Sequence, residues 1–248
     1  MNIASMKNTV VCSALLLALS SGLFAQVETV LADSLDKKER SIVNIAALTA
    51  KGDWQALKKS LHEGLDNGLS VSQIKEVLVH LYAYCGFPRS IRGLQTFMEV
   101  MDERTSKGRK DEEGKKASPV DPSESKYARG RATLVQLVGS SSAGTVAGYG
   151  RFAPIIDTLL KEHLFADLFD RDVLTFAERE WVTISVLSSL GNVQPMLRSH
   201  FSICLNLGIT PAQLKDFIRI IKPSVGRRKA KSSSDVLDEV LLSRQSPK

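Results

Sequence analysis

Leu174-Thr175-Phe176-Ala177-Glu178-Arg179 runs into Trp181, Val182, Ile184, Val186, Leu187 and Leu190, and about 140 residues earlier (35 against 174) Leu35-Asp36-Lys37-Lys38-Glu39-Arg40 runs into Ile42, Val43, Ile45, Ala46 and Leu48. Both stretches have a polar start followed by apolar residues at helical spacing, the pattern of an amphipathic helix. Each predicted helix ends near a glycine, Gly52 or Gly191. A second helix follows, Trp54 to Asn67 or Gln194 to Leu207, and stops at Gly68 or Gly208, a residue type that accepts the left-handed conformation after a helix end. A third opens with Ser70 three residues before Gln73 in one copy, and with Thr210, Pro211 and Gln213 in the other, both capping-box signals. The same helices in the same order, with the same stops, make an internal repeat. No alternating strand pattern with hairpin turns appears, so the expected class is all-α, two tandem helical repeats forming a bundle.

The rest of the chain arranges itself around this repeat. Lys7, the apolar run Val10 to Leu19 and the small-residue exit Ser20 to Ala25 have the form of a secretory signal peptide over 1–25, with the mature chain beginning at Gln26 in the bacterial periplasm. Cys12 precedes most of the apolar run, unlike a lipid-anchored cysteine, and the run is too short for a stable membrane span. The first repeat then covers 26–102 and the second 132–248. Between them, 103–131 is rich in Lys, Glu, Gly, Ser and Pro and reads as a solvated linker.

The 248 residues are 43% hydrophobic and 24% charged, which excludes disorder throughout. The net charge of +6 is spread along most of the chain. Its main basic run, Arg227, Arg228, Lys229 and Lys231, carries no interleaved aromatic residue, so it reads as a solvated tail and no nucleic-acid partner is expected. Cys85 and Cys204 remain beyond the leader, too few for a disulfide scaffold.

Particular residues bring a family into view. Leu174, Glu178-Arg179-Glu180, Thr183, Leu187, Leu190-Gly191, Leu197-Arg198-Ser199-His200, Gly208, Thr210 and Leu214 resemble the carboxymuconolactone decarboxylase pattern. So do Glu76, His80, Tyr84-Cys85-Gly86 and Pro88 in the first copy, and Glu162-His163-Leu164-Phe165 and Asp167 in the lead-in to the second. The resemblance implies a compact homo-oligomer of helical subunits. It also extends to alkyl hydroperoxidase D-like proteins, whose redox branch carries Cys-x-x-Cys before the histidine. Here Gly191 to Met196 stand in that place without a cysteine, leaving Glu180 and His200 in register.

The two copies keep complementary parts. The second has Glu180 and His200 where the first has Ser41 and Ser60; the first has Glu76, His80, Tyr84 and Cys85 where the second has Asp216, Ile220, Ser224 and Val225. One composite pocket is therefore expected, with His80 and His200 facing a common cavity and Glu76, Glu180 and Cys85 in its wall. Glu76, His80 and Tyr84 fall at i, i+4 and i+8 on one helix face, which is either a pocket wall or a hydrogen-bonded row on the helix surface. A histidine beside a carboxylate can exchange a proton near neutral pH. Arg198 is either a two-pronged holder of a substrate carboxylate, working with Tyr84, or a solvated side chain. His62 and His163 read as structural, and Cys204, on an apolar face, as core.

Three functions compete: acid/base decarboxylation or related lyase chemistry on a small carboxylated compound; a thiol-dependent peroxidase with Cys85 attacking; and a helical binding module without chemistry. The partner is a small molecule in each case. No cofactor is expected, and no ligand spacing demands a metal.

Overall fold

Asp36 accepts the Glu39 amide at 2.8 Å while the Glu39 carboxylate accepts the Asp36 amide at 2.8 Å, a reciprocal cap that satisfies donors a helix start leaves orphaned. The helix so opened, α1 (Lys37–Lys51), is the first element in the computed structural model of the protein, which describes residues 34–146 and 148–245. The signal-peptide segment expected over 1–25 lies outside the described residues. There follow α2 (Trp54–Asp66), α3 (Val71–His80), α4 (Tyr82–Ser106), α5 (Lys126–Val138), the short α6 (Tyr149–Phe152) and α7 (Pro154–Leu159), then α8 (Phe176–Leu190), α9 (Gln194–Asn206), α10 (Pro211–Val225) and α11 (Arg227–Gln245). A wide-wound π-helical segment, Leu160–Leu168, continues α7. Among the described residues there is no strand, and no helix long and apolar enough to cross a membrane.

The duplication is visible in the caps. Thr175 and Glu178 repeat the Asp36–Glu39 box at α8, and the boxes at α3 (Ser70, Gln73) and α10 (Thr210, Gln213) pair in the same way. It is visible again at the break after the third helix of each copy. Gly86 has φ 82° and ψ 160°, Gly226 φ 86° and ψ 161°, a region open essentially to glycine alone. In the first copy the helix resumes so soon that α4 spans the break.

The copies interlock and do not stand side by side. Helix α1 packs along α8, α10 packs on α1, and α3 packs on α8. Two hydrogen bonds stitch the central pair, Ser189 Oγ to the Ala47 carbonyl and Trp181 Nε1 to Glu39 Oε1, each 3.1 Å. Helix α8 is consequently buried on nearly all sides: Trp181, Val182, Ile184 and Val186 are sealed, and so are the polar Arg179, Glu180 and Thr183. Burying such groups is costly unless they are paired, which makes their partners the first place to look for function.

The expected linker over 103–131 is helical at both ends, since α4 runs to Ser106 and α5 opens at Lys126. Its middle is exposed yet pinned. Buried Arg104 holds Asp111 and Asp66, and the carbonyls of Glu112 and Glu113 accept the Val71 and Ser72 amides, completing the first turn of α3. Helix α5 lies against the π-helical segment so closely that a Cβ at Gly130 would come within 1.7 Å of the Lys161 carbonyl oxygen. Leu137, Leu164, Phe165, Leu168, Phe169 and Ile203 form the apolar core beneath this pair.

Candidate active site

Glu76 and His80 end α3 facing α8, and both are fully enclosed. Arg179 of α8 answers them: one guanidinium nitrogen donates to Glu76 Oε1 at 2.8 Å, the other to His80 Nδ1 at 3.0 Å. Arg171 grips the other side of Glu76 through Nε and Nη2 at 2.9 to 3.1 Å, and Arg179 also donates to the Arg171 carbonyl. A guanidinium can only donate, so His80 Nδ1 is an acceptor and the ring proton sits on Nε2. That proton faces Thr183 Oγ1 at 3.1 Å, and the Thr183 hydroxyl is itself used on the Arg179 carbonyl at 2.9 Å. Burial, then the charges of Arg179 and His200, hold His80 well below the ordinary imidazole value. His80 is thus a neutral imidazole with both nitrogens committed.

His200, on α9, is arranged differently. Its Nδ1 lies 2.8 Å from Oε2 of Glu180, whose side chain is completely buried. A carboxylate accepts, so Nδ1 carries the proton and Nε2 is left for whatever lies beyond the ring. What lies beyond is a cavity of about 740 Å³, with His200, Ser199, Met196 and Ile203 of α9 on one side and Leu134, Val138, Leu164 and Phe165 of α5 and the π-helical segment on the other. The wall is predominantly apolar, with a few convergent polar groups, the usual make-up of a small-molecule site.

Tyr84 joins the two halves. Its ring centroid is 5.5 Å from that of His80 and 5.9 Å from that of His200, the latter contact edge-on. It lines the cavity; among the described residues its buried hydroxyl oxygen makes no well-aligned hydrogen bond, with the Thr183 hydroxyl beside it, and Oε1 of Glu180 likewise has no partner. Burial pushes the phenol above its ordinary value, with the Glu180 carboxylate adding to the effect, so it stays protonated at neutral pH and has an O–H to donate. A second polar cluster borders the cavity. Lys161, enclosed in the π-helical segment, is bound by both Asp157 oxygens at 2.7 and 2.8 Å and by the Tyr127 hydroxyl at 2.9 Å.

The expected site residues therefore separate. His200 and Tyr84 line the cavity and Glu180 stands behind His200. His80 and Glu76 sit deeper, in the network around Arg179. Cys85 is half-buried at the α3–α4 corner, donates to the Leu81 carbonyl at 3.2 Å, and is pushed up to about 11 by burial, partly offset by the Arg89 charge. Arg198 is on the outer face of α9, half exposed and paired with Glu239, away from the cavity. Arg171, Arg179, Thr183 and Lys161 received no role from sequence alone; Arg179 and Thr183 stood only among the residues that carry the family resemblance. Cys204 is sealed in the core, as its apolar helix face implied.

Comparison with known proteins agrees with this architecture. A family model described as "Carboxymuconolactone decarboxylase family" matches residues 16–97 and again 156–239. The chain is similar to a nitrosuccinic acid decarboxylase of Metarhizium robertsii, 26% identical over 74 residues, which is 30% of this chain and 52% of that protein. It is similar to a 4-carboxymuconolactone decarboxylase of Acinetobacter baylyi, 32% identical over 69 residues, 28% of this chain and 52% of the relative. An uncharacterized protein of Methanocaldococcus jannaschii is 27% identical over 79 residues, 32% of this chain and 74% of its own length. The match to the two decarboxylases spans about half of their length. With both copies of its repeat matched by one family model, the chain belongs to the carboxymuconolactone decarboxylase family.

Proposed function

We propose that the cavity beside His200 is the active site of a lyase that removes carbon dioxide from a small carboxylated compound. The observation that carries this reading is the His200–Glu180 pair at the edge of a largely apolar cavity, with the buried Tyr84 hydroxyl in the same wall. Loss of carbon dioxide breaks the bond from the carboxylate carbon to its neighbour and leaves the electron pair on that neighbour. Protonated His200 delivers a proton from Nε2 to this carbon, and solvent restores it; Glu180 accepts from Nδ1 and so fixes the orientation of the ring. Tyr84 donates a hydrogen bond to the oxygen on which charge collects as the bond breaks. An apolar wall favours the step because a carboxylate loses hydration on entry, while the transition state spreads its charge.

The names of two relatives supply the substrates to try first, carboxymuconolactone and nitrosuccinate. Both are acids in which an electron-withdrawing group can take the charge. The test is carbon dioxide release from each by the purified protein, against His200→Gln: activity in the parent and its loss in the variant supports the reading, while equal release by both overturns it. A thiol reading is not proposed, because a Cys85 thiol near 11 is almost wholly protonated at neutral pH. Binding of these acids without turnover would favour a binding module instead.

Export and assembly belong to the same proposal. Mass spectrometry of native protein is expected to find an N-terminus near Gln26. The apolar side chains Phe152, Ile155 and Leu159 are exposed on the short helices α6 and α7 and support a homo-oligomer that covers them, checked by light scattering.

A further inference from the structure

On the other side of the first turn of α9 lies a second pocket, of about 330 Å³, bounded by the end of α8 and the start of α11. It shares only Leu187 with the His200 cavity. Its polar wall includes Ser188, Asn192, Gln194, Arg228, Lys229 and Ser232, and among the described residues no carboxylate lines it.

Three independent features point the same way. The first is charge. Helix α11 begins Arg227-Arg228-Lys229 with no acidic residue in its first turn, so its cations crowd the end where the helix dipole is already positive. Arg227 and Arg228 enter no ion pair among the described residues, and Lys229 reaches only a carbonyl oxygen, that of Ser189. The second is the backbone. The first i−4 bond of α11 is made by Ala230 to Gly226 at 3.1 Å, so the amides of Arg227, Arg228 and Lys229 precede it and have no acceptor within the helix. The third is Ser188, which is 2% exposed and whose hydroxyl has no hydrogen-bond partner among the described residues. An unsatisfied buried hydroxyl and uncompensated cations each oppose folding, and one anion in the pocket relieves both.

We propose that this pocket binds a small phosphate-type dianion, held by Arg228, Lys229, the leading amides of α11 and the Ser188 hydroxyl. The bound group is either free phosphate or the phosphate of a small monoester; the recognising chemistry is common to the two. The site is independent of the His200 chemistry.

Isothermal titration of the full chain in chloride buffer, with inorganic phosphate in one arm and glycerol 3-phosphate in the other, tests this. One saturable site is expected. Arg228→Gln and Ser188→Ala should each weaken it roughly tenfold or more, the scale of a lost hydrogen bond to a charged group. Lys231→Gln, which removes a charge that pairs with Asp235 outside the pocket, should leave it unchanged. Equal affinity in the two arms assigns free phosphate, and tighter binding of the ester assigns an organic phosphate. Absence of saturable binding in both arms overturns the site, as does an effect of Lys231→Gln as large as that of Arg228→Gln. Arg228 is exposed, so its variant stays informative even where Ser188→Ala perturbs packing.

Discussion

Nδ1 of His200 lies 2.8 Å from Oε2 of Glu180, the two being brought together by the turn between α8 and α9. The carboxylate has no exposure, so its effect on the imidazole is little screened by water. Replacing Glu180 by Gln keeps the shape but weakens the hold on the ring tautomer. In the decarboxylation assay kcat is expected to fall by about ten- to a hundredfold, with KM changing less, the range seen for groups that orient a functional histidine. A drop confined to KM would remove Glu180 from the proton-transfer role.

Acid should loosen the fold through His80. Its folded-state pKa lies well below 6.5, whereas in the unfolded chain it is ordinary, so below about 6.5 the unfolded state binds the extra proton and stability falls with falling pH. Above that value the contribution is fully present. The groups facing the ring include Arg179, Thr183, Tyr84, Phe169 and His200, none of which supplies it with a negative partner. Below about pH 6.5 the slope from this residue has the sign of stability lost with acid and is bounded by about 1.4 kcal/mol per pH unit, the value for one proton. Chemical denaturation at stepped pH should show it, and His80→Gln should flatten that part of the curve even if its overall stability is lower.

Removing Glu76 should be more damaging than its distance from the cavity suggests. It is the carboxylate between Arg171 and Arg179, and Arg179 is completely buried. Glu76→Ala leaves that guanidinium without its counter-charge, at about 3–5 kcal/mol for breaking a buried pair from one side. The midpoint of urea unfolding reads the loss. A change under about 1 kcal/mol would mean that water replaces the carboxylate there.

The cysteines should label slowly, for two different reasons. With Cys85 near 11, about one thiol in ten thousand is ionised at pH 7, so alkylation should be slow and climb about tenfold per pH unit. Cys204 is sealed in the core and its thiol is pushed well up by burial, so it should react only on unfolding. Fast labelling of native Cys85 at pH 7 would reopen the thiol chemistry.

The repeat was legible because it is written in local signals. Asp36, Ser70, Thr175 and Thr210 each cap a helix through a partner three residues on, and Gly68 and Gly208 stop one, all within a few residues of chain. The expectation that Glu180 and His200 belong to one site comes from the family resemblance, and the pair is met in the structure at 2.8 Å. The fate of His80 was not legible. Its partner Arg179 comes from the other copy, and no periodicity in α3 distinguishes a proton donor at a cavity from a neutral ring locked under a guanidinium. Arg198 fails as a cavity residue for a related reason: His200, two positions on, points inward, and positions two apart on a helix point about 200° apart, which turns Arg198 to the opposite face and Glu239.

The packing of α1 along α8 has a consequence for how the chain can vary. Two separate identical subunits meeting in this way would carry the same residue at every related position, so a glutamate at 180 would require one at 41. A covalent tether lifts that condition, because it guarantees that the two unlike halves meet while holding each at high local concentration for the other. Ser41, whose hydroxyl donates to the Lys37 carbonyl at 2.9 Å and accepts from Asn67 Nδ2 at 3.1 Å, ties α1 to the end of α2, while Glu180 at the related position holds His200. The same tether has a folding consequence: Ala47 must wait for Ser189, so the apolar face of the first half stays uncovered until the second has been made.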